Sequence, residues 1–356
     1  MPDVSVVVPV YNVEGFLRKC LDSLVAQTLR DIEIVCVDDG STDASGRILD
    51  EYAARDARMR VLHQSNSGAG AARNAGVAAA TGEYLFFCDP DDWADDVLLE
   101  RLYGKAHATR ADVLIAGRVT VSSSTGLQRV GLPDSRFGRE KDAFAGMEFG
   151  DGLFTMARAA LWDKLFRRAF IKEENIRFQC VRHTNDLFFT AIALAVAKRI
   201  AILNEAHYYH FLSKRPDGLQ NSKDRAPFVF LEVFSAIECD LVSRGLSDAF
   251  SSALAGLLLR GGVREISMLR NPENVTDFYT RFRKILIPKI GSGSGAFKCL
   301  TRFERSLVPV IEGNADPASL LRRIRRRNEF KRMRDSLVIM LHALCGKSAI
   351  RRSDRT

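Results

Sequence analysis

Apolar positions in the first third of the chain switch repeatedly between strand and helix periods. Val4-Ser5-Val6-Val7-Val8-Pro9-Val10 is a β-branched run of strand length. From Glu14 to Gln27 the apolar residues are Phe16, Leu17, Cys20, Leu21, Leu24 and Val25, the spacing of one helix face. Ile32 to Val37 reads as a strand again, and Ser41 or Thr42 caps a helix expected to run to about Arg55. Arg60 to His63 is a short strand, and Ala71 to Ala80 a helix stopped by Thr81-Gly82. Glu83 to Cys88 is a strand, Trp93 to Thr109 a helix and Asp112 to Val121 a strand.

This alternation implies an α/β domain, a mostly parallel sheet flanked by helices. Near-continuous apolar strands such as Val6-Val7-Val8 fit a sheet buried on both faces. Ligands of such sheets bind beyond the carboxyl ends of the strands. The unusual residues of this chain fall there: Pro9-Val10-Tyr11-Asn12, Asp38-Asp39, and Asp89-Pro90-Asp91-Asp92.

Further along, residues 122–152 are rich in Ser, Gly and Asp and read as a lid. Ala157 to Phe170 is expected to be helical, as is Thr184 to Ala197 with Thr184 as its cap. Ile200 to Leu203 and Ala206 to Leu212 read as strands. From about Asp224 the pattern is helical, and Gly291 to Gly295 reads as a flexible joint. The expected division is residues 1–121, residues 122–215, a helical C-terminal region (216–321) and a basic tail (322–356).

Composition narrows the class. A chain of 356 residues with 46% hydrophobic and 27% charged residues is globular rather than disordered. The formal charge of +8 is unevenly spread: residues 322–356 hold twelve basic and three acidic residues, so the tail is +9 and the rest −1. A chain-wide nucleic-acid surface is therefore excluded. Arg322 to Arg334 followed by Leu337 to Leu341 reads instead as a basic amphipathic segment suited to an anionic membrane face. The seven cysteines include no CxxC and no Cys/His cluster, so neither a disulfide framework nor a structural zinc site is expected. Reduced thiols fit a cytoplasmic protein, peripheral on the membrane if the tail docks there. Met1-Pro2-Asp3 leads straight into a strand, so no leader is expected, and the apolar run Leu337–Cys345 is far shorter than the ~20 residues of a membrane span.

Three carboxylates within Asp89-Pro90-Asp91-Asp92 repel one another unless a cation or hydrogen-bond donors offset them. At a strand end they suit Mg2+ or Mn2+, and equally a solvated turn in which Asp92 caps the next helix. Asp38-Asp39 reads either as a helix-capping turn or as an acceptor for a base N–H or ribose hydroxyl. Asn185-Asp186 opens an apolar helix, where Asp186 either complements the helix dipole or serves as a general base. Gly68 to Arg73 fails as a dinucleotide fingerprint because Arg73 replaces the third glycine, and Gly346-Lys347-Ser348 fails as a phosphate loop because Leu341 stands where the first glycine belongs.

Taken in series, these residues resemble the family 2 glycosyltransferases, inverting enzymes of the GT-A fold. The matching segments are Val4 to Asn12, Val37 to Asp43, Gly68 to Gly76, Gly82-Glu83-Tyr84 and Asp89 to Asp92. Weaker continuations are Trp162 to Phe166, Asn185-Asp186 and Tyr208-Tyr209. The resemblance implies that Pro9 and Tyr11 line the base pocket of a nucleotide-sugar, usually a UDP-sugar. It implies that Asp39 accepts from the uracil N–H, that Arg73 lies near the base and that Asp89 contacts the ribose. Asp91 takes the metal-binding place of the DxD motif and Asp186 the place of the catalytic base, so the resemblance makes residues 1–121 the nucleotide-sugar-binding half of the GT-A domain and 122–215 the acceptor-binding half with the base. The family usually has Glu-Asp at the base, so Asn185 is a departure. The implied acceptor is a glycan or lipid-linked glycan of a bacterial envelope. The alternatives are a metal-dependent nucleotidyltransferase, for which a Gly-rich basic loop after the first strand is missing, and a non-catalytic sugar-nucleotide module.

Overall fold

The computed structural model describes residues 1–133, 142–156, 160–212, 223–290, 300–313, 316–327 and 351–352. The chain divides into two compact units, Met1–Phe149 with Met156–Ser213, and Gly150–Thr155 with Lys214–Thr356.

In the first unit, strands β1 (Val4–Val10), β2 (Ile32–Asp38), β3 (Met59–His63) and β4 (Tyr84–Phe87) alternate with helices α1 (Glu14–Val25), α2 (Ser45–Ala53) and α3 (Ala69–Ala79). There follow β5 (Trp93–Ala94), α4 (Leu98–Thr109), β6 (Val113–Ala116), β7 (Arg118–Ser122), β8 (Gln128–Gly131) and the single-turn helix α5 (Gly146–Phe149). After α6 (Leu153–Met156), which belongs to the second unit except for Met156, come β9 (Lys164–Arg167), α7 (Arg168–Glu173), α8 (Asn185–Val196), β10 (Ile200–Leu203) and β11 (Tyr208–Leu212). The main sheet has the order β10-β6-β9-β4-β1-β2-β3. Six strands run one way and β9 runs antiparallel between β4 and β6. The expected mixed α/β sheet, mostly parallel and flanked by helices, is thus present.

Every residue of β1 and β2 is buried, as expected for strands covered on both faces. Helix α1 closes one face with Leu17, Cys20, Leu21 and Leu24. Proline is tolerated within β1 because β4 pairs only with Val4 to Val7, so no ladder partner awaits an N–H from Pro9 on that side. The chain steps from β1 outward to β2 and β3, then returns to β4 on the other side of β1. The carboxyl ends of β1 and β4 therefore flank a topological switch point, the place where such sheets open a crevice.

Five local expectations are corrected. Ala157 to Phe170 is not one helix: Lys164–Arg167 is the antiparallel strand β9, with Leu165 and Phe166 buried between β4 and β6; residues 157–159 lie outside the described residues. The helix expected from Trp93 begins only at Leu98, because Trp93-Ala94 pairs with Tyr208-Tyr209 as an edge strand of a second sheet, β8-β7-β11-β5. The strand expected over Asp112 to Val121 divides at Gly117, where a Cβ would meet Glu205 O at 2.6 Å; its halves β6 and β7 enter different sheets. Helix α2 starts at Ser45, later than either expected cap, and Thr184 precedes α8 with φ +64° and no side-chain cap bond. Within the expected lid, β8 pairs antiparallel with β7, and residues 134–141 lie outside the described residues.

The second unit is helical, as the pattern after Asp224 foretold: α9 (Val229–Ser243), α10 (Ser251–Met268), α11 (Pro272–Ile290), Arg302–Glu312 and residues 317–327. Thr301 and Glu304 form a capping box at the start of Arg302–Glu312. The Gly291 to Gly295 joint and most of the basic tail lie outside the described residues. Among the described residues no helix is long and apolar enough to cross a membrane. Cys20, Cys36 and Cys88 are buried and free, and Cys180 and Cys239 are free and exposed.

Candidate active site

The loops after β1 and β2 are tied by Asn12. Its backbone is left-handed at φ +48°, a conformation that Asn tolerates better than most residues. Its Oδ1 accepts from Thr42 N at 2.8 Å, while its own N–H donates to Ser41 Oγ at 3.1 Å. Pro9 is buried in β1, and Tyr11 is 47% exposed just beyond it, an unusual position for a large aromatic ring. Asp38 accepts from Ser41 N and pairs with His63, which reaches on to Asp50. Those bonds hold the Asp38 carboxyl below its usual range despite burial, which pulls the other way. They also raise the His63 imidazole above its usual value.

Asp39 turns its buried carboxylate toward the segment before α3. Oδ1 accepts from Gln64 Nε2 at 2.7 Å and from Ser67 N at 2.8 Å, and Oδ2 accepts from Gly68 N at 2.8 Å. Three donors leave about one of the roughly four lone-pair positions of a carboxylate unused.

Helix α3 carries Arg73 into the switch-point region. A Cβ on Gly70 would lie 2.2 Å from Gln179 O, so only glycine lets α3 come this close to the segment before α8. Asn74 fixes the same approach, donating to Phe178 O and accepting from Phe178 N. Arg73, 8% exposed, then spans two loops: Nη2 donates to Asp89 Oδ1 at 2.8 Å and Nη1 to Asn185 Oδ1 at 2.7 Å. The structure thus joins three predicted positions, Arg73, Asp89 and the Asn185-Asp186 turn, although they come from distant parts of the chain.

Asp92 departs from its expected role. It is 1% exposed and caps no helix: Oδ2 accepts from Tyr208 Oη at 2.7 Å and pairs with His210 at 3.0 Å, and Oδ1 accepts from Phe211 N at 2.7 Å. Burial pushes the Asp92 carboxyl up to about 6, against the pull of His210. Burial would lower the His210 imidazole, but the carboxylates of Asp92, Asp89 and Asp91 outweigh it and raise it. Tyr208 Oη also accepts from Asp89 N at 3.1 Å, and Trp162 stacks on Tyr208 and His210. The turn bearing Asp89 and Asp91 is therefore moored to β11. Sequence reasoning gave Tyr208 and His210 no role; the buried DxDD turn with alternating Tyr and His in a later strand was the available hint.

As a metal site, the turn offers hard oxygen donors and few of them. Asp92 is committed to protein partners, one oxygen of Asp89 faces Arg73, and Asp91 is partly exposed. Among the described residues no group of three His, Cys, Asp or Glu side chains forms a metal cage. That donor set fits Mg2+ or Mn2+, which commonly take one or two carboxylates and complete their shell with water and phosphate oxygens.

Asp186 is partly exposed on the first turn of α8, where the helix dipole favours its charge. Lys164, fully buried on β9, donates to Ala160 O at 2.7 Å and to Asp163 Oδ1. Burial lowers the Lys164 ammonium below the usual lysine range, while Asp163 and Asp186 both favour its charge. A buried cation that feels the candidate base was not foreseen from sequence.

The sequence matches the family model Glycosyl transferase family 2 over residues 5–166. The glycosyltransferase GlyG of Streptococcus pneumoniae is 31% identical over 281 residues, which cover 78% of this chain and 89% of GlyG. The chain belongs to glycosyl transferase family 2. This family 2 chain is also 37% identical over 215 residues to EpsJ of Bacillus subtilis, an uncharacterized glycosyltransferase, with 59% of the chain matched. The match spans 61% of EpsJ, less than two thirds of that relative. Among solved structures, S. aureus TarS 1-349 in complex with UDP-GlcNAc superposes with a TM-score of 0.69 at 24% identity over 92% of each chain. That likeness establishes a shared fold for the family 2 chain.

Proposed function

We propose that the chain transfers a sugar from a nucleotide-sugar, a UDP-sugar first of all, to a hydroxyl of an envelope glycan or glycolipid, inverting the anomeric centre. The observation that carries this reading is the Arg73 bridge. One guanidinium links Asp89, the proposed ribose contact, to the turn that holds Asp186, the proposed base. A non-catalytic binding module has no need to register these two loops to one another.

The residues then divide the work. Pro9 and Tyr11 border the base, and the remaining lone-pair position of Asp39 accepts the uracil N–H. Asp186 takes the proton of the acceptor hydroxyl as its oxygen attacks the anomeric carbon. The bond from that carbon to the diphosphate oxygen breaks with its electron pair, and the nucleoside diphosphate leaves from the opposite face. Asp91 would hold a divalent ion, Mn2+ or Mg2+, which when bound neutralises charge on the leaving diphosphate. TarS has been crystallised with UDP and with UDP-GlcNAc, which makes uridine diphosphate sugars the first donors to test. A relative from Bacillus spizizenii, 33% identical over 216 residues, is a poly(ribitol-phosphate) beta-glucosyltransferase, a precedent for polymeric envelope acceptors.

The experiment is a donor screen with purified chain and Mn2+, reading release of nucleoside diphosphate across a panel of nucleotide-sugars. Slow hydrolysis of one or more UDP-sugars is expected, and none of any donor would overturn the reading.

A further inference from the structure

The second unit carries a basic cleft that the sugar-transfer chemistry does not use. Ser319, Arg322, Arg323 and Arg326 recur at i, i+3, i+4 and i+7, so one face of the helix over residues 317–327 presents all four. With Val310 they line a cavity of about 450 Å³. Leu320 and Ile324 anchor this helix, at 0% and 6% exposure, whereas the three arginines are exposed. Arg322 Nη2 donates to Ser319 Oγ at 2.7 Å.

Several other cations of this unit are paired with carboxylates. Lys223 pairs with Glu265, Arg244 with Asp240, Arg260 with Glu304 and Lys289 with Glu238. Among the described residues no carboxylate pairs with Arg322, Arg323 or Arg326, and no acidic side chain lines the cleft. Three like charges converging on one cavity repel one another, and a shared anion relieves that repulsion. Guanidinium groups match phosphate oxygens in geometry as well as charge.

We propose that this cleft binds a phosphate group, that of an anionic phospholipid headgroup, and so seats the second unit on a membrane surface. The lipid source is favoured by charge distribution. Residues 322–356, the three cleft arginines among them, carry +9 against −1 for the rest of the sequence, and an anionic leaflet attracts exposed cations at ~1 kcal/mol each. The proposal does not depend on which sugar is transferred.

Flotation of the full chain with phosphatidylcholine vesicles, with and without phosphatidylglycerol, tests it at about 0.15 M salt, where only near charges act. Wild-type chain should float with the anionic vesicles alone. Arg322→Gln/Arg323→Gln/Arg326→Gln should lose at least tenfold more partitioning than Arg325→Gln/Arg332→Gln/Arg334→Gln, which removes the same charge from the tail. Equal losses would reduce the cleft to a diffuse charge effect and overturn the site. The single change Arg323→Gln, at an exposed position, repeats the comparison should the triple variant melt abnormally. Inorganic phosphate measured by calorimetry separates the sources: binding of phosphate without flotation would assign a soluble anion and overturn the lipid headgroup.

Discussion

Arg73 donates to the side-chain oxygen of Asn185 at 2.7 Å, across 112 positions of sequence. The same guanidinium holds Asp89, and its Nε is buried with no hydrogen-bond partner among the described residues. Arg73 therefore already holds one unsatisfied buried donor beside the two bonds it makes. The residue before Asp186 is a neutral amide, and among the described residues Asp89 is the carboxylate that pairs with Arg73.

Removing that amide should be costly. Asn185→Ala leaves a second buried donor of Arg73 unsatisfied, at roughly 1–3 kcal/mol. A urea titration should show a lower midpoint with an unchanged slope. Sugar transfer should fall further than stability alone explains, because the turn bearing Asp186 loses its tether to Asp89. A midpoint equal to wild type would mean that the bond contributes nothing.

Tyr208 moors the acidic turn through one hydroxyl, donating to Asp92 and accepting from Asp89 N. Tyr208→Phe keeps the ring and its stacking on Trp162 but loses both bonds. Metal-dependent UDP binding should weaken about tenfold, the equivalent of ~1.4 kcal/mol. Calorimetry with UDP and Mn2+ reads this directly, and unchanged affinity would reduce Tyr208 to a packing residue.

Asp91→Ala isolates the metal contribution. The variant should bind UDP equally with and without Mn2+, whereas wild type should bind more tightly with it. A metal-dependent gain that survives the substitution would remove Asp91 from the metal site.

The His63 bridge to Asp38 and Asp50 gives stability a pH dependence. The imidazole is raised in the folded state, so its contribution is complete below the unfolded value of ~6.5 and is lost as pH rises through the folded value. The gap in unfolding midpoint between wild type and His63→Gln should be wide near pH 6 and narrow toward pH 8.5. A gap independent of pH would contradict the charged bridge.

Much of this was legible in the sequence, for physical reasons. Long β-branched runs alternating with helical periods announce a parallel sheet, and strand ends in such sheets are where ligands bind, so Tyr11, Asp39, Asp89 and Asp91 stood out. The short strand Lys164–Arg167 was not legible: four residues carry no period, and β9 exists because β4 and β6 need a partner between them. Asp92 misled because a carboxylate before a helical pattern reads as a cap, and only the fold brings β11 against it. The Arg73–Asn185 bond was hidden for the same reason, since its enabling feature is the missing Cβ of Gly70 against a distant carbonyl.

The central claim is that Asp186 is the base of a sugar transfer. It is tested most directly by the transfer rate of Asp186→Asn with saturating donor and acceptor, alongside UDP affinity in Mn2+. The expected result is a rate lower by ~10²–10⁴ with UDP affinity kept; a rate within a few-fold of wild type would contradict it.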